Sequence, residues 1–178
     1  MSTPPPTHRK SAALTAGTKK RMLLVEGEWA VCDDYKTSLS RLYPNVTIDV
    51  AGNLLQAIDL LKAHTYSAIM INEKFPFIPK PNNQEVFLQK KQQILSDLGA
   101  EDLPEVNGIA LLKAIRQSSN LSHNKTTPVY YQGYGLPEER ISEAHQLNAT
   151  CNEKGMKIPS SEEQAFLRAN LDQQRRIG

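Results

Sequence analysis

Only two of the 178 residues are cysteine, Cys32 and Cys151, far apart and in no CxxC or Cys/His ligand spacing. That scarcity excludes a disulfide-stapled scaffold and a zinc module, and it fits free thiols in a reducing, cytoplasmic compartment. Aromatic residues are also few, at 6%, and none is interleaved with the bases of the N-terminal segment. Long apolar runs are missing: nothing approaches the roughly 20 residues that span a bilayer. The polar, Pro-rich start lacks the apolar stretch of a secretory leader. His8, His64, His123 and His145 are scattered among polar segments, so no metal or catalytic histidine is expected. Membrane, secreted-scaffold and metal-module readings fall away together.

What remains is a chain of one-domain length with 39% hydrophobic and 22% charged residues. The net charge of +2 hides an asymmetry: Arg9, Lys10, Lys19, Lys20 and Arg21 give residues 1–21 a charge of +5, leaving −3 for the rest. Residues 1–20 read as a disordered basic tail, because they hold too little apolar surface to fold alone. Five bases without interleaved aromatics, ahead of an acidic body, argue against nucleic acid as a partner.

From residue 21 strands and helices alternate. Met22-Leu23-Leu24-Val25 is a buried-strand run that stops at Glu26-Gly27-Glu28. Val31, Tyr35, Leu39 and Leu42 recur at helical spacing. Val46–Val50 is β-branched and alternating, the 54–64 stretch carries a Leu/Ile stripe, and Ala68–Ile71 is a further central strand ending at Asn72. The beat then breaks: the prolines of Phe75–Pro81 preclude helix. A helix is predicted over 83–98, with Asn82 and Glu85 as a capping pair and Gly99 as its stop. Beyond residue 107 the beat resumes with a helix through Ile109–Ile115, a strand at 128–131, a polar helix over 137–147 and a weak strand at 155–158. Ser160 and Glu163 have capping-box spacing before a last helix striped by Phe166, Leu167 and Leu171. Such alternation predicts a three-layer α/β domain around a doubly wound, five-stranded parallel sheet of flavodoxin-like order 2-1-3-4-5, with an inserted helix after strand 3. The domain would run over 21–172 with an insertion at 77–107, leaving 173–178 as a C-terminal tail. Any site belongs at the carboxyl ends of the strands.

The segments at those ends resemble the receiver domain of bacterial two-component response regulators. Leu23-Leu24-Val25-Glu26-Gly27-Glu28 sits where the family has an aliphatic strand and its acidic pair. Ala68–Asn72 followed by Pro76 resembles the strand of the phosphorylated Asp with its Pro four residues on. Asn107–Arg116 is similar to the family's Gly-led third helix, Thr127-Pro128-Val129 opens the fourth strand, and Lys157-Ile158-Pro159 resembles its Lys-Pro step. The resemblance covers roughly 21–171, interrupted by the insertion.

The departures from that family bear on function. An acyl phosphate needs an ionised carboxylate as nucleophile, and Asn72 supplies a carboxamide. Mg²⁺ wants several carboxylate oxygens, but Glu26 is the one acid left, with Gly27 in place of the second. The hydroxyl relay falls at Gly133, or at Gln132 one residue earlier, and the aromatic switch at Gly155; neither alternative for the relay has a hydroxyl. Lys157 is the candidate to pair with Glu26 as a fixed imitation of the charged state. Glu73, next to Asn72 on a strand, should face the other way.

The resemblance therefore implies a stand-alone pseudo-receiver: not an enzyme, needing no cofactor or metal, and binding a protein partner independently of phosphorylation. A histidine kinase or another regulator would be such a partner. A homodimer through the fourth helix, fifth strand and fifth helix, counted without the insertion, is a second expectation. Within the insertion, Val86, Phe87, Ile94, Leu95 and Leu98 form an apolar stripe that either packs on the host domain or presents a docking surface. Two rivals stand beside this reading. One is a small-molecule-binding flavodoxin-like domain, which would need a phosphate cradle where Glu26-Gly27-Glu28 stands. The other is a regulator that holds nucleic acid through its basic tail.

Overall fold

The computed structural model describes residues 19–76, 84–99, 107–155 and 159–172. Five strands, β1 (Arg21–Val25), β2 (Thr47–Ala51), β3 (Ala68–Asn72), β4 (Val129–Gly133) and β5 (Ala149–Glu153), form one sheet in the order β2-β1-β3-β4-β5. Every neighbouring pair is parallel. Among the described residues six α-helices connect and flank them: α1 (Trp29–Leu42), α2 (Leu54–Ala63), α3 (Gln84–Leu98), α4 (Asn107–Gln117), α5 (Glu138–Gln146) and α6 (Ser161–Leu171). This is the doubly wound sandwich that the alternating pattern predicts.

Side chains alternate across the sheet, and the alternation sorts the core into two halves. Met22, Leu24, Met70 and Tyr130 face α1 and α6, where they meet Tyr35, Leu39, Leu167 and Leu171. Leu23, Val25, Ile69, Ile71, Val129 and Tyr131 face the other way, onto α2, α4 and α5. β1, β3 and β4 are thus covered on both sides, which is why they read as unbroken apolar runs. Local signals set the helix starts. Asn53 Oδ1 accepts from Gln56 N at 3.0 Å, and the Ser160–Glu163 capping box is present at α6. Arg116 at the end of α4 donates to the carbonyls of Lys125, Thr127, Leu147 and Asn148, fastening two loops to one helix.

Two expectations need correction. The fifth strand of the sheet is Ala149–Glu153, ahead of the expected 155–158, of which 156–158 lie outside the described residues; it pairs with β4 from Val129↔Ala149 to Gly133↔Glu153. Ala149-Thr150-Cys151-Asn152 is half polar because β5 is an edge strand, so its apolar signal is weak. A short 3₁₀ stretch at Ser119–Asn124 was also not foreseen.

The inserted helix settles the choice posed by its stripe. Ile94 is fully buried, Phe87 and Leu98 pack against the α2/α4 side of the core, and Lys62 Nζ lies 2.6 Å from Asp97 Oδ1. These three apolar residues turn inward, so the docking-surface reading fails for them; Leu95 is half-buried and Val86 is exposed. The predicted cap at Asn82, residues 1–18 of the proposed N-terminal tail and the C-terminal tail 173–178 lie outside the described residues, as does most of the insertion around the helix.

The hydroxyls of Tyr35, Tyr66 and Tyr131 are held above the ordinary phenol range, in each case chiefly by burial. A raised folded-state pKa means this stabilisation is intact below the unfolded phenol value of about 10 and is lost as pH rises beyond it. Near-ultraviolet titration should therefore show most tyrosinate absorbance emerging in one step with the loss of far-ultraviolet circular dichroism. A gradual rise at constant dichroism would contradict the buried core described here.

Candidate functional site

Four strands end in polar residues on the α1/α6 side of the sheet. Continuing the parity of Leu24, Met70 and Tyr130 places Glu26, Asn72 and Gln132 in a row, and Lys154 follows directly on β5. Glu26 has no exposed surface, and Asn72, Gln132 and Lys154 are buried as well. A charged carboxylate in such a position is tolerable only when it is paired and hydrogen-bonded.

Glu26 is satisfied on both oxygens. Asn72 Nδ2 lies 3.0 Å from Oε1 and 3.0 Å from Oε2. Oε1 also accepts the Glu28 backbone N–H at 3.1 Å. Oε2 receives the Lys154 ammonium at 2.5 Å, in a pair with almost no solvent contact. The Tyr134 ring covers that ammonium, 5.2 Å from nitrogen to ring centroid, and is itself 61% exposed. Cys32 Sγ donates to the Glu26 carbonyl at 3.1 Å; burial, then the Glu26 charge, raises this thiol above its ordinary range.

The row is tied to the helices beneath it. Gln132 Nε2 donates to Tyr35 Oη at 3.0 Å, and the Tyr35 hydroxyl donates to Glu163. Glu163 in turn accepts the Ser160 N–H through its second oxygen. One chain of polar contacts so joins β4 to α1 and to the first turn of α6.

Of the predicted pocket residues, Glu26 and Asn72 are in direct contact. Gly27 adjoins them, and a Cβ there would come within 2.5 Å of Pro76 Cδ, so the backbone packing leaves no room for an acid at that position. Gly133 does not belong to the pocket. The register pairs Asn72 with Gln132, and Gly133, one residue on, faces the opposite side, where a Cβ would meet Glu73 Cβ and Leu136 Cδ2, each at 2.8 Å. The residue beside Asn72 is thus Gln132, which bears an amide. Glu73 also faces that opposite side, with Arg140 Nε at 3.7 Å from its Oε1.

Lys157 lies outside the described residues. The lysine paired with Glu26 is Lys154, three residues ahead of the Lys-Pro step at 157. The available signal was the strand itself: once β5 ends at Glu153, the next residue emerges at the carboxyl rim on the α1/α6 side. The residue two before Lys154 is Asn152, again not aromatic.

Mg²⁺ does not suit this donor set. It takes carboxylate oxygens and water in near-octahedral geometry. Here the single carboxylate is already neutralised by an ammonium and occupied by an amide and a backbone N–H. Among the described residues no group of three or more His, Cys, Asp or Glu side chains could hold a metal. The loop after β1 offers no phosphate cradle either, since the Glu28 N–H points at a carboxylate of its own chain. Open grooves lie elsewhere; one of about 510 Å³ runs between the β4–β5 edge and α6.

A doubly wound parallel sheet of order 2-1-3-4-5, with its polar row at the carboxyl rim, defines the flavodoxin-like class of α/β domains. Within that class, the chain has the fold of response-regulator receiver domains. The signal receiver domain of an HD-domain-containing protein from Pseudomonas fluorescens superposes with a TM-score of 0.59 at 16% identity, over 87% of this chain and 96% of that one. The receiver domain of a two-component signal-transduction histidine kinase from Clostridium thermocellum gives 0.59 at 14%, over 85% and 97%. That of a DNA-binding response regulator from Colwellia psychrerythraea gives 0.56 at 17%, over 84% and 97%. No protein-family model matches the sequence, nor does any curated protein. No helix among the described residues is long and apolar enough to cross a membrane.

Removing one member of a buried pair strands the other. Lys154→Met should lower unfolding stability by about 3–5 kcal/mol, whereas the double variant Lys154→Met/Glu26→Gln should recover much of that loss. Denaturant titration of the cycle measures both; equal losses in the single and double variants would refute the pairing. Gly133→Ser should cost about 1–3 kcal/mol through overpacking against Glu73. A Gly133→Ser protein as stable as its parent, by the same titration, would contradict the close approach.

Proposed function

We propose that this domain is a two-component signalling module of the pseudo-receiver kind, which binds a protein partner independently of aspartyl phosphorylation. The observation that carries the reading is the occupied rim: Asn72 donates to both oxygens of Glu26 while Lys154 neutralises it. An amide is no nucleophile toward phosphorus, because its nitrogen lone pair is delocalised into the carbonyl and it carries no ionised oxygen. The ammonium supplies internally the positive charge that a metal would otherwise bring. A single arrangement of the rim is thereby favoured, and with it a single presentation of the outer surface.

The partner expected is a protein of a phosphorelay, such as a histidine kinase or another regulator. Trp29, 81% exposed at the start of α1, and Tyr134 stand at the same end of the sheet as the row. Exposed aromatic side chains of this kind are efficient anchors in protein interfaces. A homodimer through α5, β5 and α6 belongs to the same proposal. The small-molecule rival has less in its favour, because the rim is filled by the chain's own side chains.

Incubation with acetyl phosphate and millimolar Mg²⁺ should leave the intact mass unchanged, and Mg²⁺ should not shift the melting temperature. A stoichiometric phosphoprotein would overturn the proposal. Asn72→Asp should sharpen the test. It exchanges two donated hydrogen bonds for a second carboxylate, which should cost about 2 kcal/mol or more and lower Tm by roughly 4–8 °C. The variant should then gain a Mg²⁺-dependent rise in Tm that the parent lacks.

A further inference from the structure

The two most exposed large apolar side chains among the described residues are both aromatic, and both stand at the rim. Trp29, the only tryptophan of the chain, is 81% exposed in the first turn of α1. Tyr134, just past β4, is 61% exposed. A series of contacts links the two. Tyr134 covers the Lys154 ammonium at 5.2 Å, and Lys154 pairs with Glu26 at 2.5 Å. Glu26 in turn accepts the backbone N–H of Glu28, the neighbour of Trp29, at 3.1 Å. The two rings therefore flank one buried ion pair.

Around them the exposed charge is of one sign. Glu28 precedes α1, Glu138 and Glu139 open α5 shortly after Tyr134, Glu153 closes β5 and Glu162 opens α6. All five are exposed. Helices of this fold begin where strands end, so these acids gather at the end that carries the rings. In the described segments that follow β1, β3, β4 and β5 up to the first helical turn, Lys74 is the exposed base. The uncovered rings supply contact area, and the carboxylates select the charge that approaches it.

Resting on the reading of the rim as a protein-docking surface, we infer that the partner segment it takes is cationic. Arginines of that segment stack on Trp29 and Tyr134 and pair with the surrounding carboxylates. A guanidinium suits both contacts, being planar, weakly hydrated and able to meet a carboxylate through two parallel hydrogen bonds. Tyr134 already holds a cation of its own chain over its ring. Glu26 neutralises that cation, so an arginine on the exposed part of Tyr134 meets no net charge behind it. The same acids repel the phosphates of nucleic acid and the headgroups of an anionic lipid surface.

Fluorescence anisotropy of a labelled octapeptide alternating arginine and alanine, titrated with the full chain, tests this. Binding should be saturable at about 50 mM salt and weaken several-fold by about 200 mM, as screening grows. Trp29→Leu and Tyr134→Leu should each weaken it about 2–5-fold, the leucine at 134 keeping Lys154 covered. Glu138→Gln/Glu139→Gln should weaken it several-fold, whereas Asp172→Asn, at the opposite end of the sheet, should bind as the parent does. Unlabelled peptide should alter the emission of Trp29 along the same isotherm. A dissociation constant above about 1 mM at the lower salt would overturn the inference. So would equal binding of the same peptide with serine for arginine, or full binding by both aromatic variants. A chain that refuses the peptide yet stays unphosphorylated in acetyl phosphate loses this inference alone. One that takes the peptide but forms a phosphoprotein loses the phosphorylation-independent reading and keeps the cationic ligand.

Discussion

A fully buried carboxylate is the constraint around which the carboxyl end of this sheet is organised. Glu26 sits at the end of a central strand with no access to water, and in that setting a charge must be answered or lost. Lys154 answers it from the edge strand, four strands' breadth including its own, and Asn72 answers it from the neighbouring strand with two donated hydrogen bonds. The three residues come from 26, 72 and 154, so the pairing also closes the sheet's longest connections in sequence. Burial makes the arrangement an all-or-none one: each member is costly without the others.

The alternation of side chains across the strands then divides the molecule's chemistry. Glu26, Asn72, Gln132 and Lys154 share one face with Tyr35 and Glu163, so the rim, α1 and α6 form a connected polar system. One residue further along, Glu73 and Gly133 belong to the other face, among Arg140, Tyr131 and Leu136. Adjacent positions therefore serve different environments. A carboxylate at 73 is next to Asn72 in sequence and separated from it by the thickness of the sheet.

Much of this was legible in the chain. Unbroken apolar runs at 22–25 and 68–71 mark strands covered on both sides, and the loss of an acid at 72 is visible by inspection. Other features were hidden for physical reasons. β5 is an edge strand and half polar, so its position carries little apolar signal, and neither does the lysine that pairs with Glu26, Lys154. The choice of 133 over 132 failed because a one-residue slip reverses the face of a strand residue. The stripe of the inserted helix was recognisable as amphipathic, but whether it covers its own domain or a partner is a question of packing. Ile94 and the Lys62–Asp97 pair answer it for the inner half.

The order of strands and helices, the layered architecture and the absence of a nucleophilic acid at 72 were determined by the sequence itself, since each rests on local periodicity or on the identity of a single side chain. Only the tertiary structure decided which lysine reaches Glu26 and which neighbour faces Asn72. These depend on register and on contacts more than a hundred residues apart, for which no local pattern of side chains carries a signal.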